Sequence, residues 1–452
     1  MKINELKTVY FLGIGGIGMS ALARYFNVKG CRVSGYDKTP TPLTNKLIQE
    51  GIDIHFEENP AKIPANTDLV VYTPAVPTSH AEYKYFLHHN YTIKKRAEIL
   101  GLISSEFFSI AVAGTHGKTT ITGLISHILL TSNIPTNAFI GGIIKNYESN
   151  LIINENAAVT VVEADEYDRS FLWLNPNIGL ISAIDADHLD IYSDKKNLKE
   201  SYHLFAGKIK QGGNLVHKYL LDIPEIPSVT KYTYGLNPNA DFYAKDIFLK
   251  DAHFHFTACL KGIEFPIEIK TPGRHNIENA IAAATVCFLY GLNADQIKAG
   301  IETYQGISRR FDYRVEKKSV IFIDDYAHHP EELKAFISAV QEMYPEKKIT
   351  GIFQPHLFSR TLHFADEFAQ VLDTLDKAIL LDIYPARETP IKGVTSKMLL
   401  NKMTIIDKKI LSKNKVLEYL KNNKVEVLLT MGAGDIDQIT EPIEKILNDK
   451  YQ

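Results

Sequence analysis

Short runs of β-branched and apolar residues alternate with stretches of helical periodicity along almost the whole chain. That pattern predicts parallel sheets joined by crossover helices, an α/β protein. Three segments each open such a series: Thr8 to Gly13, Phe108 to Gly114, and Ser319 to Asp324. Three domains are therefore expected, over residues 1–103, 104–310 and 311–452. Between Lys231 and Lys270 the pattern shifts to short alternating strands (Asp241 to Phe248, His253 to Leu260, Glu264 to Ile269), predicting a small antiparallel patch on the central domain.

Composition narrows the class. With 452 residues, 50 Lys+Arg against 53 Asp+Glu and a net charge of −3, the chain is no polycation, so nucleic acid is not an expected partner. A hydrophobic fraction of 45% with 23% charged residues is ordinary globular composition. Three scattered cysteines, Cys31, Cys259 and Cys287, suit neither a disulfide framework nor a cysteine-based zinc site and point to a reducing compartment. The apolar stretch from Val9 to Leu22 is broken by Gly13, Gly15, Gly16, Gly18 and Ser20, which fits a strand entering a glycine turn better than a signal peptide. No uninterrupted apolar run reaches the ~18 residues of a membrane span, so a cytoplasmic protein without membrane association is expected.

Two glycine loops carry the first candidate chemistry. In GIGGIG, Gly13, Gly15 and Gly18 have dinucleotide-binding spacing, with Gly16 between them, after the strand Val9–Leu12 and before a helix from Met19 to Phe26. Glycines there let backbone N–H groups approach a pyrophosphate at a helix N-terminus. A second strand, Arg32 to Tyr36, ends in Asp37, where such folds place an acid near a ribose. NAD, FAD and UDP-sugars all contain a pyrophosphate, so the ligand stays open on this motif. The second loop, GTHGKTT, follows the strand Ser109–Ala113 and opens a helix from Thr120 to Leu130. Its Gly114, Thr115, His116, Gly117, Lys118, Thr119 and Thr120 form a phosphate loop for ATP, with an exposed Lys118 neutralising phosphate charge and Thr119 ligating Mg²⁺. A strict Walker A would have its first glycine where Val112 stands.

Acids follow at two strand ends. One strand, Ala158 to Val162, ends in Glu163, Ala164, Asp165 and Glu166, and another, Ile178 to Ile184, ends in Asp185, Ala186, Asp187 and His188. In a parallel sheet both ends lie beside the phosphate loop, so Glu163 is a candidate to share a metal ion with Thr119 and His188 to hold a second. The other acids read equally as surface or capping carboxylates. Later polar clusters are Asn276, an acceptable helix cap, the pair Arg309-Arg310, and Asp324-Asp325-Tyr326-Ala327-His328-His329-Pro330 after a strand from Val320 to Ile323.

Taken in order, GIGGIG, RAEIL (Arg96 to Leu100), GTHGKTT, EADEYDRSFL, DADHLDIY, GRHN, RRFD, DDYAHHP, FQPH and MGAGD resemble the Mur ligases nearly end to end. The resemblance implies a Rossmann-like N-terminal domain for the UDP-sugar, a central ATPase domain and a Rossmann-like C-terminal domain for the amino acid. It implies an ATP- and Mg²⁺-dependent enzyme of peptidoglycan precursor synthesis that joins L-alanine to the carboxylate of UDP-N-acetylmuramate through an acyl phosphate. By likeness, Lys118, Thr119, Glu163 and His188 handle phosphates and metal, Asn276, Arg310 and Asp325 contact ATP, and His328 serves the incoming amine. Two departures stand out. The place of a carbamoylated lysine in several Mur ligases is His203 here, so no such modification is expected. The basic residue that many alanine-adding members carry after the FQPH motif is Leu357, which leaves Arg360 for the amino-acid carboxylate. A monomer or weak homodimer is expected. Attachment of a recycled tripeptide to the same UDP-sugar, a nicotinamide-dependent oxidoreductase and a nucleotide-gated binding module are the competing readings.

Overall fold

The computed structural model describes residues 3–184, 195–250, 253–386 and 388–451. The chain forms two compact units, one of Met1–Leu249, His255–Lys270 and Ile277–Gln305, the other of Lys250–Phe254, Thr271–Asn276 and Gly306–Gln452.

The first unit holds two sheets. Strands β1 (Thr8–Leu12), β2 (Arg32–Tyr36), β3 (Asp53–His55), β4 (Leu69–Tyr72) and β5 (Ile93–Lys95) make a parallel sheet in the order β3-β2-β1-β4-β5. The central sheet comprises β6 (Phe108–Ala113), β7 (Thr136–Ile144), β8 (Ser149–Ile152), β9 (Val159–Glu163), β10 (Ile178–Ile181), β11 (Asn214–Lys218), β12 (Thr230–Gly235), β13 (Phe242–Lys250), β14 (His253–Leu260) and β15 (Ile263–Ile269). Its order is β15-β14-β13-β12-β11-β10-β6-β9-β7-β8. The strand that was expected to reach Ile184 stops at Ile181.

The expected antiparallel patch is the β13–β15 edge. Only Lys261 and Gly262, both with positive φ (48° and 86°), separate the neighbouring strands β14 and β15. A two-residue turn of that kind closes a hairpin, whereas parallel neighbours need a long crossover. A second hairpin, β7 with β8, runs antiparallel at the other edge.

One apolar core runs beneath both sheets of this unit, including Phe11, Phe26, Phe139, Phe171 and Phe205. Each such ring contributes roughly 1.5–3 kcal/mol by leaving water. A buried polar contact also joins the sheets: Arg24 donates to Asn150 Oδ1 (2.7 Å) and to Glu50 (2.6 Å), while Asn150 Nδ2 donates to Ile17 O (2.7 Å). The start of the helix Ile17–Val28, just past the first glycine loop, is thereby tied to β8.

The second unit contains β16 (Asp312–Lys317), β17 (Val320–Asp325), β18 (Ile349–Phe353), β19 (Lys377–Leu380), β20 (Lys408–Ile410) and β21 (Val427–Met431), in the order β16-β17-β21-β18-β19-β20. Among the described residues of this sheet only β16 pairs antiparallel. Side chains alternate in β17: Ile321 and Ile323 enter one apolar layer, Val320 and Phe322 the other. Among the described residues no helix is long and apolar enough to cross a membrane, and all three cysteines are buried thiols.

Candidate active site

The phosphate loop begins where buried β6 ends. Gly114 takes φ 136°, and a Cβ there would collide with Ser182 Oγ, so only glycine fits. Ser182 donates to His116 O and Thr115 N donates to Ala183 O (3.0 Å), so the end of β10 braces the loop. Gly117 (φ 81°) then caps the helix Lys118–Thr131, which starts two residues earlier than expected. A Cβ on Gly117 would sit 2.7 Å from Asn279 Oδ1, a residue with no role in the sequence reading.

Lys118 is not the exposed loop lysine expected. It is the first residue of the helix, its side chain is only 15% exposed, and Nζ donates to Gly114 O (2.6 Å) and to the buried Glu166 (2.8 Å). Burial opposes the charged ammonium, but Glu166, Asp165 and Glu163 outweigh it and hold Lys118 above its ordinary value. Thr119 Oγ1 donates to Glu163 Oε1 (2.9 Å), and Gly141 N donates to Glu163 Oε2 (2.7 Å). The β6–β9 register sets this meeting, because Val112 lies opposite Glu163. Burial raises the Glu163 carboxyl, partly offset by Lys118 and the two donors. Two hard oxygen donors beside a phosphate loop suit Mg²⁺. Among the described residues no cluster of three or more His, Cys, Asp or Glu could hold a metal, and Asp185, Asp187 and His188 lie outside the described residues.

At the first glycine loop, Gly13 N and Ile14 N both donate to Tyr36 O (2.8 and 3.0 Å). Asp37 accepts from Gly15 N at 2.7 Å, so the acid expected at a ribose braces the loop itself. Gly16 caps the following helix without a side-chain bond.

In the second unit, Arg309 is consumed by the fold: it donates to Asp324 (3.1 Å) and to Gly432 O (2.7 Å). Arg310 stacks over Tyr326 (5.3 Å). Asp325, expected at ATP, is buried and accepts from Phe311 N (2.6 Å) and Ala327 N (2.8 Å), bracing both flanking turns. Burial pushes its carboxyl up to about 6 against the pull of Arg310. Asn276 is no cap, since its helix starts at Arg274; its side chain donates to Pro272 O (2.6 Å).

His328 Nδ1 contacts the carbonyl of Tyr326 at 3.0 Å and must donate there, which leaves the Nε2 lone pair available in the neutral ring. Burial lowers its basicity against the pull of Glu332, whose carboxylate lies 3.3 Å from Nδ1, and Arg360 and Arg310 add to the lowering. The His328 ring lies 5.9 Å from His356, which stacks on Tyr384 at 5.7 Å. Leu357 has φ 71°, an uncommon backbone state for a branched residue, held by Leu357 N donating to Tyr384 O (2.9 Å). Ser182, Asn279 and Tyr384 went unmarked in the sequence, and Glu166, which read equally as a surface or capping carboxylate, is the buried partner of Lys118. Glu166 alone among the four carried a signal, its place in an acidic strand end.

Family models match in chain order: the catalytic domain of the Mur ligase family over residues 8–108, the Mur ligase middle domain over 112–287, and the Mur ligase glutamate ligase domain over 309–434. The chain is 48% identical to a UDP-N-acetylmuramate–L-alanine ligase of Parabacteroides distasonis, covering 99% of this chain and 98% of the relative. It is 46% identical to the enzyme of that description from Flavobacterium johnsoniae, covering 99% and 100%. Among solved structures, a UDP-N-acetylmuramate–alanine ligase from Thermotoga maritima superposes with TM-score 0.83 at 25% identity over 98% of this chain and 99% of that one. A murein peptide ligase from Psychrobacter arcticus shares the fold, with TM-score 0.73 at 20% identity over 98% and 99%.

Proposed function

The chain belongs to the Mur ligase family, and we propose that it joins L-alanine to the carboxylate of UDP-N-acetylmuramate at the expense of ATP, as an enzyme of peptidoglycan precursor synthesis. The observation that carries the reading is the convergence of Lys118, Thr119 and Glu163 at the carboxyl ends of β6 and β9, in a chain nearly half identical to alanine ligases over its full length. Phosphoryl transfer asks mainly for alignment and neutralised charge, and this set supplies both.

In this reading a muramoyl carboxylate oxygen attacks the γ-phosphorus of ATP, forming an acyl phosphate and releasing ADP. The alanine amine then attacks the acyl carbon, and the tetrahedral intermediate expels phosphate as the amine loses a proton. Lys118 meets the transferring phosphoryl group, and the loop Gly114–Thr120 cradles the phosphates with its N–H groups. Asn276 and Arg310 serve ATP, with Asp325 holding the turn beside Arg310. Thr119 and Glu163 would hold Mg²⁺, which when bound neutralises charge on the β- and γ-phosphates. The Nε2 lone pair of His328 orients the amine and Arg360 binds the amino-acid carboxylate. The glycines from Gly13 to Gly18 receive the diphosphate of the sugar nucleotide. Nucleotide substrates and three free cysteines suit the cytoplasm, and we take the protein as a monomer or weak homodimer.

The test is ADP formation with UDP-N-acetylmuramate fixed and the acceptor varied among L-alanine, glycine, L-serine and the tripeptide L-alanyl-γ-D-glutamyl-diaminopimelate. Turnover dependent on both the sugar nucleotide and L-alanine is expected. Preference for the tripeptide would overturn the reading.

A further inference from the structure

RAEIL is the motif that the functional reading leaves unused. Its first residue, Arg96, opens the helix Arg96–Ser105 immediately after β5, yet its side chain does not extend into water and is only 21% exposed. The guanidinium lies on the first glycine loop: a Cβ on Gly18 would stand 2.5 Å from Arg96 Nη1 and 3.3 Å from Cζ. A side chain at the last glycine of GIGGIG would therefore push the Arg96 guanidinium from its seat. On its other side Nη2 donates to Asp165 at 3.3 Å, two residues beyond Glu163. Arg96 also lines a small cavity with Glu163, Asp165 and Ser170, backed by Leu100 and Phe171.

Charge accounting at the loop gives this placement a purpose. GIGGIG offers N–H groups but no cation, and the next basic residue along the chain, Arg24, is spent on Glu50 and Asn150. A diphosphate seated there carries negative charge that backbone dipoles alone balance poorly. Arg96 is a cation laid against the loop, and its 3.3 Å bond to Asp165 uses one amino group of a planar fork that carries five N–H donors.

We propose that Arg96 binds the diphosphate of the sugar nucleotide and that Asp165 is the positioning residue that holds it over Gly18. The proposal rests on the sugar-nucleotide reading of the first glycine loop. In this arrangement Arg96 stands between the first glycine loop and the Lys118–Glu163 cluster, so the diphosphate is held on the side from which the rest of the substrate reaches Glu163.

Calorimetric titration of the full chain with UDP-N-acetylmuramate, UDP and UMP tests it, alongside KM for ATP. Arg96→Ala should weaken UDP-N-acetylmuramate and UDP by about 10- to 100-fold, the scale of one charge-assisted contact. UMP should lose less, because it lacks the second phosphate. Arg96→Lys should fall between, Asp165→Asn should cost a few-fold, and KM for ATP should stay within about twofold. Unchanged UDP affinity in Arg96→Ala, or equal losses for UDP and UMP with a lowered melting temperature, would overturn the assignment and make Arg96 a packing residue. A wild-type chain that binds UDP but not UDP-N-acetylmuramate would instead count against the proposed substrate, while the UDP and UMP comparison still judged Arg96.

Discussion

Lys118 Nζ lies 2.8 Å from both carboxylate oxygens of Glu166, whose side chain is fully buried. The pair is therefore part of the fold as well as of the proposed phosphate site. Glu166 and the Gly114 carbonyl together fix the position of the ammonium at the start of the helix.

Lys118→Ala would strand a buried carboxylate, a loss of about 3–5 kcal/mol, so poor activity in that variant mixes folding with chemistry. The double variant Lys118→Met, Glu166→Gln removes both charges. It should keep most of the stability measured by denaturant unfolding while turnover falls at least about a hundredfold. Near-normal turnover in a folded double variant would show that Lys118 has no part in phosphoryl transfer.

Gly15→Val should raise KM for UDP-N-acetylmuramate and leave KM for ATP nearly unmoved. The cause is local: a Cβ at Gly15 would lie 2.9 Å from Asp37 Oδ2 and 2.7 Å from Thr44 Cγ2, displacing the carboxylate that braces the loop. A variant altered only in its ATP dependence would exchange the assignments of the two glycine loops.

Arg360→Lys should raise KM for L-alanine roughly tenfold or more, because a lysine cannot reproduce a two-pronged guanidinium contact with a carboxylate. Calorimetric binding of UDP-N-acetylmuramate should be unchanged. Wild-type KM for L-alanine in this variant would remove Arg360 from the amino-acid site.

His127 predicts a pH effect on stability. Thr303 spends its hydroxyl proton on Ala299 O (2.7 Å), so His127 Nε2 donates to Thr303 (2.9 Å) and Nδ1 accepts from Tyr147 OH (2.7 Å). The neutral ring is satisfied, and burial pushes its pKa down to about 4. The unfolded chain then takes up the proton first, so the stabilisation is complete above about 6.5 and is lost as pH falls toward 4. The stability advantage of wild type over His127→Gln should shrink across that window by up to about 3 kcal/mol, read from denaturant midpoints at a series of pH values. A constant difference would refute the buried neutral ring.

Local chemistry was readable wherever one segment creates it. The switch from strand periodicity to a glycine turn and then to a helix, at Leu12–Gly13 and at Ala113–Gly114, marks a backbone that must turn tightly, and the ordered motifs identify the family. Periodicity also revealed the β13–β15 edge, because a hairpin is a local structure. What a side chain meets across the fold was not readable. Asp37, Asp325 and Glu166 look alike in sequence, each an acid at or just past a strand end. Only the sheet registers and the turns they frame decide that the first two accept backbone N–H groups and the third pairs with Lys118. The burial of Lys118, the collision that forbids a side chain at Gly114 and the seat of Arg96 on Gly18 likewise depend on atoms far apart in the chain. A one-dimensional pattern records the hydrophobicity and turn preference of each residue. The partner that satisfies a buried charge is chosen by packing, and packing exists only in the folded chain.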